Sequence, residues 1–66
     1  MQVTINGELR AVPEGVTLRD LLSYLKLEEE RVAVERNRAI VGRQDWAAVR
    51  VQPGDELEIV HFVGGG

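Results

Sequence analysis

The segment VTLRDLLSYLKL (residues 16–27) constrains the fold more than any other part of the chain. Four leucines recur at the i, i+3, i+4, i+7 spacing of a single helical face: Leu18, Leu21, Leu22 and Leu25. Thr17 and Asp20 have the spacing of a capping box, and Val16 and Leu21 stand at the positions of a hydrophobic staple. These signals predict a helix from about Leu18 to Lys26. Its apolar face has to be buried against another layer of the same chain.

The segment before the helix, MQVTINGELRAVP, is predicted to form a β-hairpin. Asn6-Gly7 is the strongest short-range hairpin signal. Because the register of paired strands follows the buried face, we expect Ile5 to lie opposite Leu9. That pairing requires a three-residue connection between the strands.

The segments after the helix are predicted to supply further strands. RVAVERN reads as a third strand with Val32 and Val34 on one face, and AIV as a short fourth. Asn37 between them suits a tight turn because asparagine tolerates positive φ. Trp46 is expected to pin the irregular segment RQDWAAVRV to the core. The alternative is an exposed aromatic binding anchor.

The last predicted strand, ELEIVHFV, carries apolar residues on both faces. If Leu57 and Ile59 face the helix, strand alternation places Val60 and Phe62 on the opposite, open face of the sheet. An exposed apolar patch at this place would mark a site for a partner protein. The alternative is that these residues pack under a loop or in an oligomer.

The order of the elements predicts an α+β domain of the β-grasp, or ubiquitin-like, class. One mixed sheet of four to five strands packs on one helix, and its other face is open to solvent. The length of 66 residues fits one domain. We expect residues 1–63 to form this domain and residues 64–66 to form a flexible C-terminal glycine tail.

Composition argues against several classes of function. A net charge of −3 argues against nucleic-acid binding, and no apolar run approaches the ~18 residues of a membrane span. The start of the chain lacks the layout of a signal peptide, so a cytoplasmic location is expected. Without cysteine, and with His61 as the single histidine, neither a thiol nucleophile nor a typical zinc site is expected. Asp55, Glu56 and Glu58 have a spacing typical of solvated faces.

The sequence ends in HFVGGG, and two interpretations of these glycines are open. Glycine loses the most conformational freedom on folding, so Gly64, Gly65 and Gly66 are typical of a frayed terminus. Alternatively, the terminal carboxylate is the working group and the glycines let it enter a narrow active site of another protein. A carboxylate is a poor acyl electrophile until adenylation by ATP supplies a leaving group.

Several segments together resemble the ThiS family, the sulfur carrier proteins of thiamine biosynthesis. They are the hairpin NGE, the helix start TLRDLL, the strand VAVERN, the R-x-x-W of Arg43 and Trp46, GDELEIV, and the closing VGGG. The match runs in order over essentially the whole chain. Arg38 departs from the pattern where glycine is expected, and Gly42 stands where proline would be unsurprising. Both departures concern a turn far from the glycine tail.

The resemblance implies a carrier and not an enzyme, with no bound cofactor. Gly66 would be adenylated by an E1-like (ThiF-type) enzyme that consumes ATP, and then converted to a thiocarboxylate with sulfur from a cysteine desulfurase. A ThiG-type thiazole synthase would accept the sulfur. Gly64 and Gly65 would thread the partner's active site, and the surface formed by Val60, Phe62 and Val63 would bind the partner.

Other interpretations share the fold and the Gly-Gly end. One is the small subunit of molybdopterin synthase or a sulfur carrier for tRNA thiolation. Another is a ubiquitin-like modifier joined through Gly66 to lysines of target proteins. Lys26 is the only lysine, which argues mildly against self-linked chains. A plain interaction domain with an inert tail is the third.

Overall fold

The computed structural model describes residues 1–62, and its elements follow the predicted order. The strands are β1 (Gln2–Ile5), β2 (Glu8–Ala11), β3 (Val32–Arg36), β4 (Ala39–Val41) and β5 (Glu56–His61), and the helix is α1 (Leu18–Tyr24). Short 3₁₀ turns occupy Glu29–Arg31 and Arg43–Asp45. The strands form one sheet in the order β2-β1-β5-β3-β4, in which only β1 and β5 are parallel among the described residues. The predicted mixed sheet packed on one helix is confirmed.

Helix α1 begins at the predicted capping box. Asp20 N donates to Thr17 Oγ1 at 3.1 Å, and Thr17 N donates to Asp20 Oδ2 at 3.2 Å. The helix ends at Tyr24, two residues before the predicted Lys26. Lys26 takes a φ of 62°, in the left-handed region that ends many helices. It is therefore the stop residue and not part of the helix.

The core lies between α1 and the inner face of the sheet. Its buried apolar residues are Val3, Ile5, Val12, Leu18, Leu21, Leu22, Val32, Val34, Trp46, Val51, Leu57 and Ile59. Trp46 is 2% exposed, and its Nε1 donates to Val41 O at 2.9 Å. The prediction that Trp46 belongs to the core is confirmed, and the exposed-anchor alternative is wrong. Within residues 1–62, no helix is long and apolar enough to span a bilayer.

The predicted register of the first hairpin is wrong. Ile5 pairs with Glu8 and not with Leu9, across a two-residue turn formed by Asn6 (φ 51°) and Gly7 (φ 84°). Strand β2 is exposed along its whole length, and Leu9 is 68% exposed. No buried face therefore selects the register, and the positive φ of both turn residues determines it.

The second hairpin uses the same kind of turn. Arg36 pairs with Ala39, and Asn37 and Arg38 between them have φ values of 51° and 72°. The tight turn predicted at Asn37 is confirmed. Arg38 occupies a left-handed conformation in which a residue with a Cβ is disfavoured by about 1–2 kcal/mol.

Candidate functional site: the last strand and its outer face

Strand β5 lies in the middle of the sheet and carries the chain towards its C-terminal end. Its parallel pairing with β1 covers only two residue pairs, the last of which is Ile5 with Leu57. Its antiparallel pairing with β3 continues as far as His61 opposite Val32, and Phe62 N donates to Arg31 O at 2.8 Å. Strand β5 therefore ends beside the start of β3.

The predicted alternation along β5 is confirmed. Leu57 and Ile59 are buried against the helix, whereas Val60 is 55% exposed and Phe62 is 58% exposed. Val60 lies opposite Ala33 of β3. The two side chains thus belong to the outer face of the sheet, at the end of the strand that leads to residues 63–66.

Ile40 is a third member of this surface, and it was not predicted from the sequence. Ile40 is 80% exposed and pairs with Glu35, which in turn pairs with Glu58 of β5. Directly paired residues share a face, so Ile40 lies on the same side as Val60. Ile40 and Phe62 both line a shallow groove of about 290 Å³. The alternation that places Val60 outward would have placed Ile40 outward too, since its neighbour Val41 packs against the core.

We define the apolar patch as Ile40, Val60 and Phe62. Monomeric proteins seldom leave large apolar side chains clustered at one place unless a partner covers them. The predicted roles of Val63, Gly64, Gly65 and Gly66 fall on residues outside the described part of the chain, and they stay predictions.

The other end of the same outer face is acidic. Glu35, Glu56 and Glu58 line a shallow depression of about 270 Å³, and Arg38 is the basic residue beside them. The outer face of the sheet therefore carries the apolar patch near the end of β5 and negatively charged side chains near the start of β5.

Asp55 lies just before β5 and is buried, so its predicted place on a solvated face is wrong. Its Oδ2 accepts from Arg36 Nε at 2.7 Å and from Gln52 N at 2.8 Å, and its Oδ1 accepts from Asn37 Nδ2 at 3.2 Å. Burial by itself raises the pKa of this carboxyl. The hydrogen bonds from Gln52, Arg36 and Asn37 outweigh it and hold the pKa below its usual value. With every oxygen bonded to the protein, Asp55 fixes the start of β5 and is not placed to act on a substrate.

A concavity of about 520 Å³ lies beside the end of the helix. Its polar lining consists of Asn6, Arg10, Tyr24, Lys26 and His61, which include the phenol of Tyr24 but no carboxylate. Among residues 1–62, no group of three metal-ligating side chains comes together.

Fold and surface together define a class. The chain is a ubiquitin-like β-grasp domain with its apolar patch at the end of the last strand, next to a glycine-rich C-terminal segment.

Comparison with known proteins identifies the family. The ThiS family model matches residues 3–66, and the chain belongs to the ThiS family. The crystal structure of a thiamine biosynthesis protein (ThiS) from Geobacter metallireducens is 38% identical with a TM-score of 0.87, and the match covers 100% of both chains. The sulfur carrier protein ThiS of Bacillus subtilis is 48% identical over 50 residues, which are 76% of either chain. The resemblance to ThiS and the β-grasp fold are confirmed.

A further relative is a longer protein. A thiazole synthase from Magnetococcus marinus is 47% identical over 66 residues, which are 100% of this chain but 20% of that protein. The chain thus spans about a fifth of the length of the first curated relatives that it matches.

Proposed function

We propose that this protein is a sulfur carrier of thiamine biosynthesis and that the carboxyl group of Gly66 carries the sulfur. The observation that carries the proposal is the family match, which extends to position 66 and so includes the glycine tail. The similarity to the sulfur carrier protein of Bacillus subtilis supports it. The apolar patch supplies a surface by which another protein could hold the domain while it works on the tail.

The chemistry follows from the state of a carboxylate at neutral pH. With an unperturbed pKa of about 3.3–3.7 the group is ionised and resists nucleophilic attack. An E1-like, ThiF-type enzyme would join the Gly66 carboxylate to the AMP part of ATP and release pyrophosphate. A persulfide formed by a cysteine desulfurase would then attack the acyl carbon and expel AMP. A thiol would reduce the resulting acyl disulfide, which leaves the thiocarboxylate.

In this scheme the protein is a substrate of its partners and not a catalyst. ATP is consumed by the activating enzyme, and the carrier needs no cofactor of its own. Gly64 and Gly65 would thread the enzyme's channel, because glycine offers no side chain to obstruct it. The reactions need no membrane or nucleic acid, and a cytoplasmic location forms part of the proposal.

The outer face suits the docking step. Phe62 and Val60, with Val63 next to them in sequence, would be covered by the activating enzyme. Glu35, Glu56 and Glu58 would favour a partner with a basic rim, because complementary charge speeds association and orients the encounter.

The thiazole synthases among the relatives support the identity of the acceptor. In those proteins a region similar to this whole chain belongs to one longer polypeptide named thiazole synthase. A shared polypeptide keeps a sulfur donor near its acceptor. We therefore propose a ThiG-type thiazole synthase as the protein that receives the sulfur.

ATP–pyrophosphate exchange with a ThiF-type enzyme tests the proposal. Deletion of Gly66, or Gly65→Leu, should abolish exchange, because a misplacement of about 1 Å can cost on the order of 100-fold in rate. The same variants should melt like the wild type, within the ±0.5 kcal/mol or so typical of surface changes. Normal exchange by the chain that lacks Gly66 would contradict the proposal.

A further inference from the structure

The side chain of Asn6 extends the sheet where β1 has ended. The backbone pairing of β1 with β5 stops at Ile5 and Leu57. Two residues further along β5, Ile59 N donates to Asn6 Oδ1 at 2.8 Å, and Asn6 Nδ2 donates to Ile59 O at 3.1 Å. The amide side chain thus replaces a backbone peptide and adds one more rung to the ladder. We call this pair of hydrogen bonds the Asn6 clamp.

Asparagine meets two requirements at this position. The two-residue turn needs a positive φ, which is 51° at Asn6, and asparagine tolerates this conformation better than most residues. The clamp needs one donor and one acceptor on a short side chain. Glycine would satisfy the turn alone, and aspartate at neutral pH would supply acceptors only. Asn6 of the hairpin turn therefore has a second role, because its side chain binds Ile59, 53 residues away along the chain.

We infer that Asn6 is a positioning residue that holds the end of β5 in place. It thereby determines where the tail starts relative to the apolar patch. This inference rests on the proposed function. Ile59 immediately precedes Val60 of the apolar patch, and three residues separate it from Val63. Without the clamp, the N–H and C=O of Ile59 would face the β1 side with no partner among residues 1–62. The end of β5 would then be held by β3 alone.

Asn37 provides a matched control in the same molecule. It also has a φ of 51°, and it opens the other two-residue turn. Its Oδ1 accepts from Glu56 N at 2.9 Å, and its Nδ2 donates to Asp55 at 3.2 Å. Asn37 therefore anchors the start of β5, far along the strand from the tail. Asn6→Gly and Asn37→Gly each keep a turn-compatible residue and each remove one donor and one acceptor.

The experiment compares the two variants in amide hydrogen exchange and in ATP–pyrophosphate exchange with a ThiF-type enzyme. Both measurements are made on the full chain, well below both melting temperatures. In Asn6→Gly, we expect the Ile59 amide to exchange at least tenfold faster than in Asn37→Gly. We also expect kcat to fall about tenfold while KM stays within about threefold, because the apolar patch is intact but the tail is misplaced. Asn37→Gly should keep both constants within about twofold of the wild type.

A purely structural role for Asn6 would give a different pattern. Equal losses of kcat in the two variants, or a wild-type kcat in Asn6→Gly, would overturn the inference while leaving the proposed function in place. Unchanged protection of the Ile59 amide in Asn6→Gly would overturn the clamp itself. A wild-type protein inactive in pyrophosphate exchange would overturn the proposed function, and the reaction role of Asn6 with it.

Discussion

Replacing Asp55 by asparagine should be among the most destabilising isosteric changes in this domain. The carboxylate accepts three hydrogen bonds, from Arg36, Asn37 and the backbone of Gln52, and it is buried. An amide keeps one acceptor oxygen and turns an NH₂ group towards at least one donor. Hydrogen bonds to charged groups contribute about 1.5–3 kcal/mol each, and a buried donor without a partner costs about 1–3 kcal/mol.

The expected loss in the free energy of unfolding is about 2–4 kcal/mol at neutral pH, because the partly exposed Arg36 can regain water and offsets part of the cost. For a domain of this size, 1 kcal/mol shifts Tm by about 4–8 °C, so Tm should fall by at least about 8 °C. Urea unfolding at pH 7 measures the loss directly. Glu14→Gln is the control, since it removes one charge from an exposed residue that forms no side-chain hydrogen bond or ion pair within residues 1–62.

The pH dependence gives an independent check. The pKa of Asp55 is lowered in the folded protein from its usual value of 3.8. Its stabilisation is therefore fully present above about pH 4–5 and is lost as the pH falls through the lowered folded pKa. The difference in stability between the wild type and Asp55→Asn should be largest near neutral pH and should shrink in acid. A loss below about 1 kcal/mol at pH 7, or a difference that grows in acid, would refute this account of the cluster.

Two further predictions concern residues that a single substitution can test. Arg38 and Lys26 both have a positive φ, which costs a residue with a Cβ about 1–2 kcal/mol, and replacement by glycine removes that cost. Glycine also gives the unfolded chain more conformational freedom, which lowers the free energy of unfolding by about 0.4–1 kcal/mol. The free energy of unfolding of Arg38→Gly and of Lys26→Gly, measured by thermal or urea unfolding, should therefore rise by about 0.5–1 kcal/mol. A lower Tm for both variants would show that the two side chains stabilise the native state by more than the backbone strain costs. Phe62→Ala should weaken binding to the activating enzyme by about 1–3 kcal/mol, measured by calorimetry, with little change in Tm. Unchanged affinity would remove Phe62 from the interface.

Local patterns in the sequence were sufficient for most of the fold. The capping box at Thr17 and Asp20 depends on residues three apart, and the alternation along β5 depends on neighbours, so both are visible without knowledge of tertiary contacts. The same alternation gave the outward position of Val60 and Phe62, which is the described part of the candidate site. When one face of a strand is buried and the other is exposed, the alternation of neighbouring residues is enough to predict which side chains lie on each face.

The features that the sequence did not reveal depend on distant partners. Asp55 is buried because Arg36 and Asn37, 19 and 18 residues away, surround it, and no spacing in its own segment signals this. The clamp of Asn6 on Ile59 is of the same kind. The register of the first hairpin was wrong because we assumed a shared buried face, whereas β2 is exposed. The end of the helix at Tyr24 is not visible in the sequence, since a lysine such as Lys26 carries no local sign of a positive φ.

The intact mass of the protein, isolated from cells grown with ample sulfur, tests the central claim most directly. A sulfur carrier should show a second species heavier by the mass difference between sulfur and oxygen, and fragmentation should place that gain on Gly66. The unmodified species would also establish that Gly66 carries the free carboxyl group. A gain located on any other residue, or stable linkage of Gly66 to lysines of other proteins, would contradict the proposed function.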